Sequence, residues 1–328
     1  MHKLKKSLNV AVVGAGYWGR KVITEYLQLG LINPKIKLVR VCDLKKENLD
    51  FCKEALKIGK LKLCTDFNEV ISKDVDAIHI CTPNDTHYKL CLAALNAGKH
   101  VLLEKPMSQT AKEAWELVGV AEHQHLCLQV GHIFRFNKAV RKIQELIATN
   151  YFGDLYYLKF QWTTLTPSPA NRDIIFDLGP HPVDIINYIL NAWPNTVFCT
   201  AKAYRRKSLE EVAYVLMEFD NDLIAQIELS WLQPGKMREL NIIGKKRSAK
   251  VDCLRQEIRI FENSDETSFN LNIDKNNTIF DEVSHFAICI IQNNNNRNPG
   301  PIGAGTVAVL ESIRKSLKIG KTVNVEMT

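Results

Sequence analysis

The sequence predicts an α/β protein with two domains, a doubly wound parallel sheet over residues 1–126 and a large, mostly antiparallel open sheet over residues 127–328. Three observations support this prediction. A buried strand, a glycine-rich turn and a helix open the chain between Val10 and Leu29. Strand and helix patterns then alternate up to about residue 126, as they do in parallel sheets. Strand patterns predominate from about residue 196, which favours an antiparallel second sheet.

The first domain alternates in a regular order. Asp66 is a typical N-cap, and Gly98 is a typical C-terminal stop for the helix before it. After the opening strand and helix, we expect strands at 38–42, 62–65, 77–81, 100–103 and 127–130, and helices at 47–58, 66–71, 87–96 and 111–123.

The second domain has a different character. Gly153 separates a helix from a strand, a polar loop covers 164–173, and Asn221-Asp222 is a hairpin turn signal. A second polar loop, rich in Asn, Pro and Gly, covers 293–305, and the last helix, at about 305–317, could pack back on the first domain. We expect helices at 139–148, 176–190 and 305–317, and strands at 155–163, 196–205, 212–219, 223–231, 238–244, 248–253, 256–261 and 322–325.

The composition is that of a globular protein. The chain has 328 residues, of which 46% are hydrophobic and 24% charged, so it can bury a sizeable core. No apolar run is long enough to span a bilayer, and the apolar stretch 8–15 is too short for a signal peptide. We therefore expect a cytoplasmic protein that binds no membrane. The net charge of +7 is spread along the chain, which favours anionic ligands over a nucleic acid.

The nine cysteines are odd in number and show no C-x-x-C pair. Several of them lie in apolar stretches, such as Cys42, Cys81 and Cys289. Because a zinc site needs converging Cys and His ligands at suitable spacing, we expect no metal. The cysteines are predicted to be small core residues.

The opening turn has the spacing G-x-G-x-x-G at Gly14, Gly16 and Gly19, with Tyr17 and Trp18 at the start of the helix. Gly14 would allow the tight turn, Gly16 would let a pyrophosphate approach the backbone, and Gly19 would let helix and strand pack closely. The N–H groups at the helix start would hold the anion. The turn therefore predicts a dinucleotide site.

Polar residues follow the other strands of the predicted parallel sheet. Asp43 ends the second strand, where a carboxylate meets ribose hydroxyls, although it could also cap the helix beginning near Lys45. Since ligands bind at the carboxyl ends of parallel strands, these strand ends should line one edge. The other side chains expected there are Thr82, Pro83, Asn84, His87, Glu104 and Lys105.

Three residues could carry chemistry. Lys105, at a strand tip, is either solvated or holds a substrate hydroxyl and stabilises an alkoxide. Asp177 and His181 are four residues apart at a helix start, so they share a face and could form a general base with its carboxylate. Alternatively, Asp177 caps the helix and His181 is a partly buried polar residue. Asp184 could instead orient His181.

Two arginines are candidates for substrate contact. Arg135 follows the last strand of the first domain, and Arg172 lies in the polar loop just before Asp177. Each could meet a ligand phosphate or carboxylate, since a guanidinium binds such groups well. Arg135 could instead pair with an acid across the domain junction.

Six motifs together resemble one family, the Gfo/Idh/MocA oxidoreductases, and they keep its order over nearly the whole chain. They are GAGYWG at 14–19, CTPNDTH at 81–87, AGKHVLLEKP at 97–106, GHIFRF at 131–136, DLGPH at 177–181 and GAGTVAVLESIRKSLKIGKTVNV at 303–325.

The resemblance implies a Rossmann domain, a second domain with an open sheet, a tightly held NAD or NADP, and assembly into homodimers or homotetramers. It implies that Lys105, Asp177 and His181 occupy catalytic positions. By that analogy, His181 takes the proton of a sugar hydroxyl while hydride passes to the nicotinamide, Lys105 polarises the same oxygen, and Asp177 positions the pair. Asp43 favours NAD over NADP, because a carboxylate repels a 2′-phosphate.

The substrate is predicted from the same resemblance. The stretches at 16–19, 131–140, 151–158 and 177–185 look most like the branch that oxidises C3 of UDP-N-acetylglucosamine or its uronic acid, although Phe176 stands where that branch commonly has Trp. One alternative is a dehydrogenase of a free polyol or sugar such as myo-inositol or glucose. Another is a non-catalytic NAD(P)-binding regulator.

Overall fold

The computed structural model describes residues 7–56, 61–167, 172–205, 209–262 and 264–327. The chain forms two compact units, one of Met1–Ile133 with Asn277–Ala304 and one of Phe134–Asn276 with Gly305–Thr328. The end of the second predicted helix, at 57–58, and residues 168–171 of the predicted polar loop lie outside the described ranges. Within those ranges, no helix combines the length and the apolar character that a membrane span requires.

The first unit contains a parallel sheet of six described strands. Their order is β3-β2-β1-β4-β5-β6, so the direction of winding reverses between β1 and β4, and the predicted doubly wound fold is confirmed. A ligand crevice is expected at that reversal, outside the carboxyl ends of the strands. The strands are β1 (Leu8–Val13), β2 (Ile36–Cys42), β3 (Lys62–Cys64), β4 (Ala77–Ile80), β5 (His100–Leu103) and β6 (Leu128–Val130).

Helices connect these strands, and local signals fix their ends. Asp66 accepts a hydrogen bond from the backbone of Asn68, and Thr110 forms a capping box with Glu113. Gly98 follows a helix with a φ of +72°, as its predicted role as a stop requires. The helices are α1 (Tyr17–Ile32), α2 (Lys46–Ala55), α3 (Phe67–Val70), α4 (His87–Asn96) and α5 (Ala111–His123).

The second unit is built on a nine-stranded sheet with the order β14-β13-β12-β11-β7-β10-β9-β8-β15. Only β7 and β10 run parallel among the described pairs, so the predicted mostly antiparallel sheet is confirmed. The strands are β7 (Leu155–Leu165), β8 (Thr196–Lys202), β9 (Val212–Glu218), β10 (Ile224–Ser230), β11 (Leu232–Gly244), β12 (Ser248–Asp252), β13 (Glu257–Phe261), β14 (Ser268–Leu271) and β15 (Val323–Asn324).

Three helices belong wholly to the second unit, namely α6 (Lys138–Ala148), α7 (Ile174–Leu178) and α8 (Pro180–Leu190). The sequence predicted α7 and α8 as one helix. They are separate because Pro180 and Pro182 have no N–H for the backbone ladder. The backbone of Gly179 nevertheless keeps helical angles, with φ −59° and ψ −32°.

Two helices complete the fold, α9 (Thr278–Gln292) and α10 (Gly300–Ile319). The sequence analysis did not anticipate α9. Its buried residues Val283, Phe286 and Ala287 join the core cluster of β1 and α1, which is why 277–304 belongs to the first compact unit. The compact units therefore differ from the predicted domains, which placed that segment in the second. Residues 300–304, predicted as part of a polar loop, are the first turn of α10.

Candidate active site

The glycine turn after β1 fits a bound pyrophosphate. Gly14 has a φ of +93°, and a Cβ there would lie 2.7 Å from the carbonyl oxygen of Cys81. A Cβ on Gly19 would lie 1.8 Å from the oxygen of Gly14, so both positions require glycine. A Cβ on Gly16 would meet nothing within 4 Å. The backbone at Gly16 therefore faces open space, where an anion can approach closely.

The start of α1 is open to such an anion. Gly16 is the N-cap, no side chain caps the helix, and its first turn carries no acidic residue. The N-terminal N–H groups and the helix dipole favour negative charge here. Tyr17 is 78% exposed, and its ring lies 4.5 Å from the ammonium of Lys21.

Asp43 links the end of β2 to the glycine turn. Its Oδ2 accepts hydrogen bonds from the backbone N–H of Ala15 at 2.6 Å and from Asn48 Nδ2 at 3.1 Å. Its Oδ1 accepts from the backbone N–H of Lys45 at 2.8 Å. The N-cap of α2 is Lys45, so Asp43 does not cap that helix itself. The carboxylate lies where the adenosine ribose is bound in this fold.

The turn after β4 contains Thr82, Pro83 and Asn84, and α4 begins with His87. The hydroxyls of Thr82 and Thr86 are 2.7 Å apart. Asn84 is 4% exposed. His87 is 1% exposed, and its ring nitrogens lie 2.8 Å from Pro106 O and 2.9 Å from Thr82 O.

The ring of His87 therefore ties together the turns after β4 and β5. The sequence analysis predicted it as a cofactor contact. Both ring nitrogens of His87 face backbone oxygens and the ring is buried. These contacts indicate a structural role for His87. Burial lowers the pKa of His87. A direct contact with the cofactor stays a prediction.

The end of β5 carries a buried carboxylate, Glu104, which is 6% exposed. Trp18 Nε1 donates to its Oε1 at 2.5 Å, and His79 Nε2 lies 3.4 Å from the same oxygen. Burial raises the pKa of Glu104, but the bonds and charge of His79, the indole of Trp18 and the ammonium of Lys105 lower it below its ordinary value. A negative charge therefore persists next to Lys105, which is itself half-buried.

One group of described residues has the composition of a metal site. Ligand atoms of His79, Cys81 and Glu104 all lie within 4.8 Å of one another. Burial raises the pKa of the Cys81 thiol well above its usual value, so the thiolate that a metal requires is disfavoured. Glu104 already accepts from Trp18 and lies beside His79. A buried hydrogen-bonded cluster accounts for these contacts better than a metal centre.

In the second unit, the carboxylate of Asp177 is held from two sides. Arg172 Nε lies 3.0 Å from its Oδ1, and Trp231 Nε1 donates to its Oδ2 at 3.2 Å. Asp177 lies in α7 and His181 in α8, and the helical backbone of Gly179 between them preserves the spacing that the sequence predicted. Because Asp177 is the last-turn residue of a short helix capped by Asp173, the alternative in which Asp177 is the cap does not hold.

His181 lies among aromatic rings of its own unit. The ring centroids of His181 and Phe134 are 5.2 Å apart at an interplanar angle of 78°. The centroids of His181 and Trp162 are 6.1 Å apart at 35°. His181 is partly buried, and its contacts with the two aromatic rings restrict the orientation of the imidazole.

A buried arginine that the sequence analysis did not select, Arg238 of β11, lies near this group. Its Nη1 donates to the carbonyl oxygen of Thr163 at 2.9 Å, and its guanidinium carbon lies 5.3 Å from the Trp162 ring centroid. Burial lowers the pKa of Arg238 to about 10, and the charge of Asp177 counteracts this shift. Its positive charge therefore lies close enough to interact with the carboxylate of Asp177.

Arg135 is placed differently from the prediction of substrate contact. It is 5% exposed, its Nε donates to Asp184 Oδ1 at 2.7 Å, and its Nη2 donates to Asn187 Oδ1 at 2.7 Å. Arg135 therefore pairs with an acid, as the alternative held, but Asp184 belongs to the same unit and does not lie across the domain junction. Asp184 was the other candidate for orienting His181. Its Oδ1 accepts the hydrogen bond from Arg135, so this carboxylate has a structural partner of its own. A ligand contact of Arg135 has no support in this placement.

The predicted residues thus fall into two groups. Gly14, Asp43, Thr82 and Glu104 gather at strand ends of the first unit, together with Lys105. Asp177, His181 and Arg172 gather in the second unit. The sequence analysis missed His79, Trp162, Trp231 and Arg238, because a histidine, tryptophan or arginine within a strand pattern looks like an ordinary core or surface residue.

Comparisons with known proteins agree with both units. A family model described as an oxidoreductase family with an NAD-binding Rossmann fold matches residues 8–132, and a GFO/IDH/MocA C-terminal domain model matches 140–250. The UDP-N-acetylglucosamine 3-dehydrogenase of Acidithiobacillus ferrooxidans is 28% identical over 257 residues, 77% of each chain. The myo-inositol 2-dehydrogenase of Thermotoga maritima is 25% identical over 263 residues, 76% of each chain.

The fold is also known. A solved structure of a UDP-N-acetylglucosamine 3-dehydrogenase from Acidithiobacillus ferrooxidans has a TM-score of 0.84 at 24% identity, and the match covers 95% of this chain and 98% of that one. The family model that matches residues 8–132 describes an NAD-binding Rossmann fold, so NAD is the cofactor of the first unit. The two models together span most of the chain, and the protein belongs to the Gfo/Idh/MocA family of NAD-dependent oxidoreductases.

Proposed function

We propose that this enzyme oxidises a ring hydroxyl of a sugar, with C3 of a UDP-N-acetyl sugar as the first candidate. The relative named for that reaction supports the choice of substrate. The observation that carries the proposal is the anchored carboxylate of Asp177, four residues before His181. A fixed anion beside an imidazole is what a general base of this kind requires.

In this proposal, His181 accepts the proton of the reacting hydroxyl. The rings of Phe134 and Trp162 restrict the plane of the imidazole, so the base is oriented before the substrate binds. The charge of Asp177 stabilises the imidazolium that forms. Arg172 and Trp231 hold the carboxylate of Asp177 in place, and in this proposal it acts as a counter-charge and does not itself carry the proton.

Lys105 has the role of holding and polarising the same substrate oxygen. An ammonium placed at a developing alkoxide lowers the barrier by electrostatic stabilisation. Glu104 balances the charge of Lys105 in a buried setting and is itself fixed by Trp18 and His79. When bound, NAD supplies the hydride acceptor. The chain holds it through the backbone at Gly16 and through Asp43 at the ribose.

A free polyol or sugar is the second candidate substrate. The myo-inositol 2-dehydrogenase of Thermotoga maritima is similar over 76% of this chain. The two candidates differ in the UDP group, so a panel of UDP-sugars and free sugars distinguishes them. The side chain of Arg172 is 37% exposed, whereas that of its partner Asp177 is 15% exposed. We propose that Arg172 contacts an anionic part of the substrate.

The test is NADH formation with this panel by wild type, His181→Ala and Lys105→Ala. We expect losses in kcat of about 10²–10⁴-fold for His181→Ala, the usual scale for general acid–base catalysis. His123→Ala and Lys112→Ala are matched controls, because both residues are exposed on α5. If both active-site variants kept full turnover on a confirmed substrate, the assigned roles would be wrong. If wild type bound NAD but oxidised no sugar of the panel, the result would favour the alternative function, a non-catalytic NAD-binding regulator.

We also propose that the exposed face of the second sheet binds a second copy of the chain, giving a homodimer or homotetramer. Tyr157, Tyr214, Leu216 and Ile224 are each 43–46% exposed. The strand register puts them on one face, since Ile224 pairs with Tyr157 and alternate residues of β9 share that side. A patch of this kind on a monomer is unusual unless a partner covers it.

Light scattering coupled to gel filtration tests this assembly. We expect wild type to elute as an oligomer and Leu216→Lys to elute at a smaller mass. Lys159→Glu, on the exposed side of β7, is a change of charge on the same face and should also weaken the assembly. A wild-type monomer at micromolar concentration would overturn the proposal.

A further inference from the structure

The NAD-binding unit contains a closed ring of hydrogen bonds around Asp43. The ring runs through Asp43, Ala15, Arg20 and Asn48. Asp43 Oδ2 accepts from Ala15 N at 2.6 Å and from Asn48 Nδ2 at 3.1 Å. Arg20 Nη2 donates to Asn48 Oδ1 at 3.0 Å, and Arg20 Nε donates to the carbonyl oxygen of Ala15 at 3.0 Å.

The ring joins three parts of the unit. Ala15 lies in the glycine turn, Asp43 follows β2, and Arg20 and Asn48 lie in the first turns of α1 and α2. The guanidinium of Arg20 also lies 3.6 Å from the ring centroid of Phe51, one turn further along α2. Because the peptide of Ala15 is bound through both its N–H and its C=O, the turn and the carboxylate are fixed relative to each other.

This arrangement leaves a defined acceptor for the ribose. Oδ2 of Asp43 already has two donors, whereas Oδ1 has only the backbone N–H of Lys45 at 2.8 Å among the contacts of the described residues. A carboxylate oxygen accepts two hydrogen bonds, so Oδ1 can still accept one from a hydroxyl. A 2′-phosphate has no hydroxyl to donate at that position and carries about two negative charges.

We propose that Arg20 and Asn48 are positioning residues that hold Asp43 in the conformation selecting NAD, and that Arg20 is a latent receptor for the 2′-phosphate of NADP. In wild type, Asn48 connects the guanidinium to the carboxylate, and the two opposite charges offset each other. Without the carboxylate, the planar guanidinium supported by Phe51 has the geometry for bidentate phosphate binding. The proposal rests on NAD binding by this unit and is independent of the sugar.

Binding of NAD⁺ and NADP⁺ to the purified full-length chain, followed by tryptophan fluorescence and by calorimetry, tests the proposal without any substrate. We expect wild type to bind NAD⁺ more tightly. Asn48→Ala should weaken NAD⁺ about tenfold, the size of one charge-assisted hydrogen bond, with a smaller effect on NADP⁺. Asp43→Ser should reverse the preference. Asp43→Asn, which keeps the shape of the side chain, provides the same test if the serine variant folds poorly.

The double variant Asp43→Ser/Arg20→Gln identifies the receptor. We expect the double variant to bind NADP⁺ at least about tenfold more weakly than Asp43→Ser alone. Lys53→Gln, which removes a charge from an exposed position of α2, is the matched control and should leave that gain intact. Lys45→Gln tests the other candidate, since Lys45 is exposed next to Asp43.

Two results would overturn the proposal. One is an NADP⁺ affinity of Asp43→Ser that survives Arg20→Gln and disappears with Lys45→Gln. The other is an unchanged preference for NAD⁺ in both Asp43→Ser and Asp43→Asn. Failure of every sugar in the substrate panel, with these binding results as expected, would contradict only the proposed substrate.

Discussion

Trp231 donates its indole N–H to the carboxylate of Asp177 at 3.2 Å, although the two residues are 54 positions apart in the chain. The contact brings the end of β10 to α7, in the same unit as His181. Together with the ion pair from Arg172, it holds the carboxylate of Asp177 in place, four residues before the proposed base His181. The role of Asp177 in this account depends on that anchoring.

The first prediction concerns this indole. Trp231→Phe keeps the aromatic ring and removes the donor, so we expect kcat to fall about tenfold while KM changes little. Steady-state kinetics of NADH formation measure the effect. Trp115→Phe is the control, since its indole nitrogen has no hydrogen-bond partner among the described residues. Equal kinetics of wild type and Trp231→Phe would show that the hydrogen bond from Trp231 to Asp177 does not contribute to catalysis.

The second prediction separates stability from cofactor binding at the glycine turn. Gly16 has negative φ and a Cβ there would meet nothing within 4 Å, so Gly16→Ala should leave the free energy of unfolding nearly unchanged. The new methyl would occupy the space proposed for the pyrophosphate, so NAD⁺ affinity should fall by at least about tenfold.

Gly119→Ala is the matched control for this change. Gly119 lies in α5, and a Cβ there also meets nothing within 4 Å. It should stabilise the helix by up to about 1 kcal/mol and leave NAD⁺ affinity unaltered. Calorimetric titration with urea unfolding measures both quantities. If Gly16→Ala bound NAD⁺ normally, the pyrophosphate would lie elsewhere.

The third prediction concerns the buried ion pair of Arg135 and Asp184, with 6% and 1% of their side chains exposed. Asp184→Ala leaves a buried guanidinium uncompensated, so the free energy of unfolding should fall by about 3–5 kcal/mol. The double variant Arg135→Met/Asp184→Leu should recover part of that loss. Denaturant unfolding gives these values. A fully stable Asp184→Ala with impaired substrate binding would instead support the original ligand role of Arg135.

The fourth prediction is a pH dependence of stability. Burial, with a smaller effect from the charge of Arg297, lowers the pKa of His285 to about 4. The unfolded chain, with a pKa near 6.5, binds this proton more readily, so stability is full above about pH 6.5 and falls as pH drops towards 4.

After allowance for solvent at this half-buried site, the loss attributable to His285 should be about 1–2 kcal/mol. Urea unfolding at pH 7 and pH 5 measures it. His285→Asn should unfold with a weaker dependence on pH over this range, whereas His123→Asn, on the exposed end of α5, should behave like wild type. Identical pH dependence in wild type and His285→Asn would contradict the assignment.

The sequence predicted the sheet classes, most element positions and the strand-end residues, because these depend on local signals. The glycine spacing, the helix-end signals at Asp66 and Gly98, and the hairpin at Asn221 each act over a few residues. Helix α9 escaped prediction because its apolar residues Val283 and Phe286 pack on α1, about 250 positions earlier, and nothing nearby reveals that partner.

The contacts that define the site are the least predictable part. Nothing near Arg135 in the sequence indicates that Asp184 will neutralise it, or that Trp231 will bind Asp177. Such pairs are set by tertiary packing, so residue type and spacing alone left Arg135 open between two roles. In the structure the Arg135 guanidinium is buried against the carboxylate of Asp184, which favours a structural role.

Transfer of deuterium from UDP-N-acetylglucosamine labelled at C3 tests the central claim most directly. The enzyme is incubated with NAD⁺ and the labelled sugar, and the NADH is analysed by mass spectrometry. We predict that the NADH carries the deuterium and that His181→Ala forms this labelled NADH much more slowly. Unlabelled NADH would show that hydride leaves another carbon, and no NADH from this sugar, with NAD⁺ bound and a free polyol oxidised, would contradict the proposed substrate.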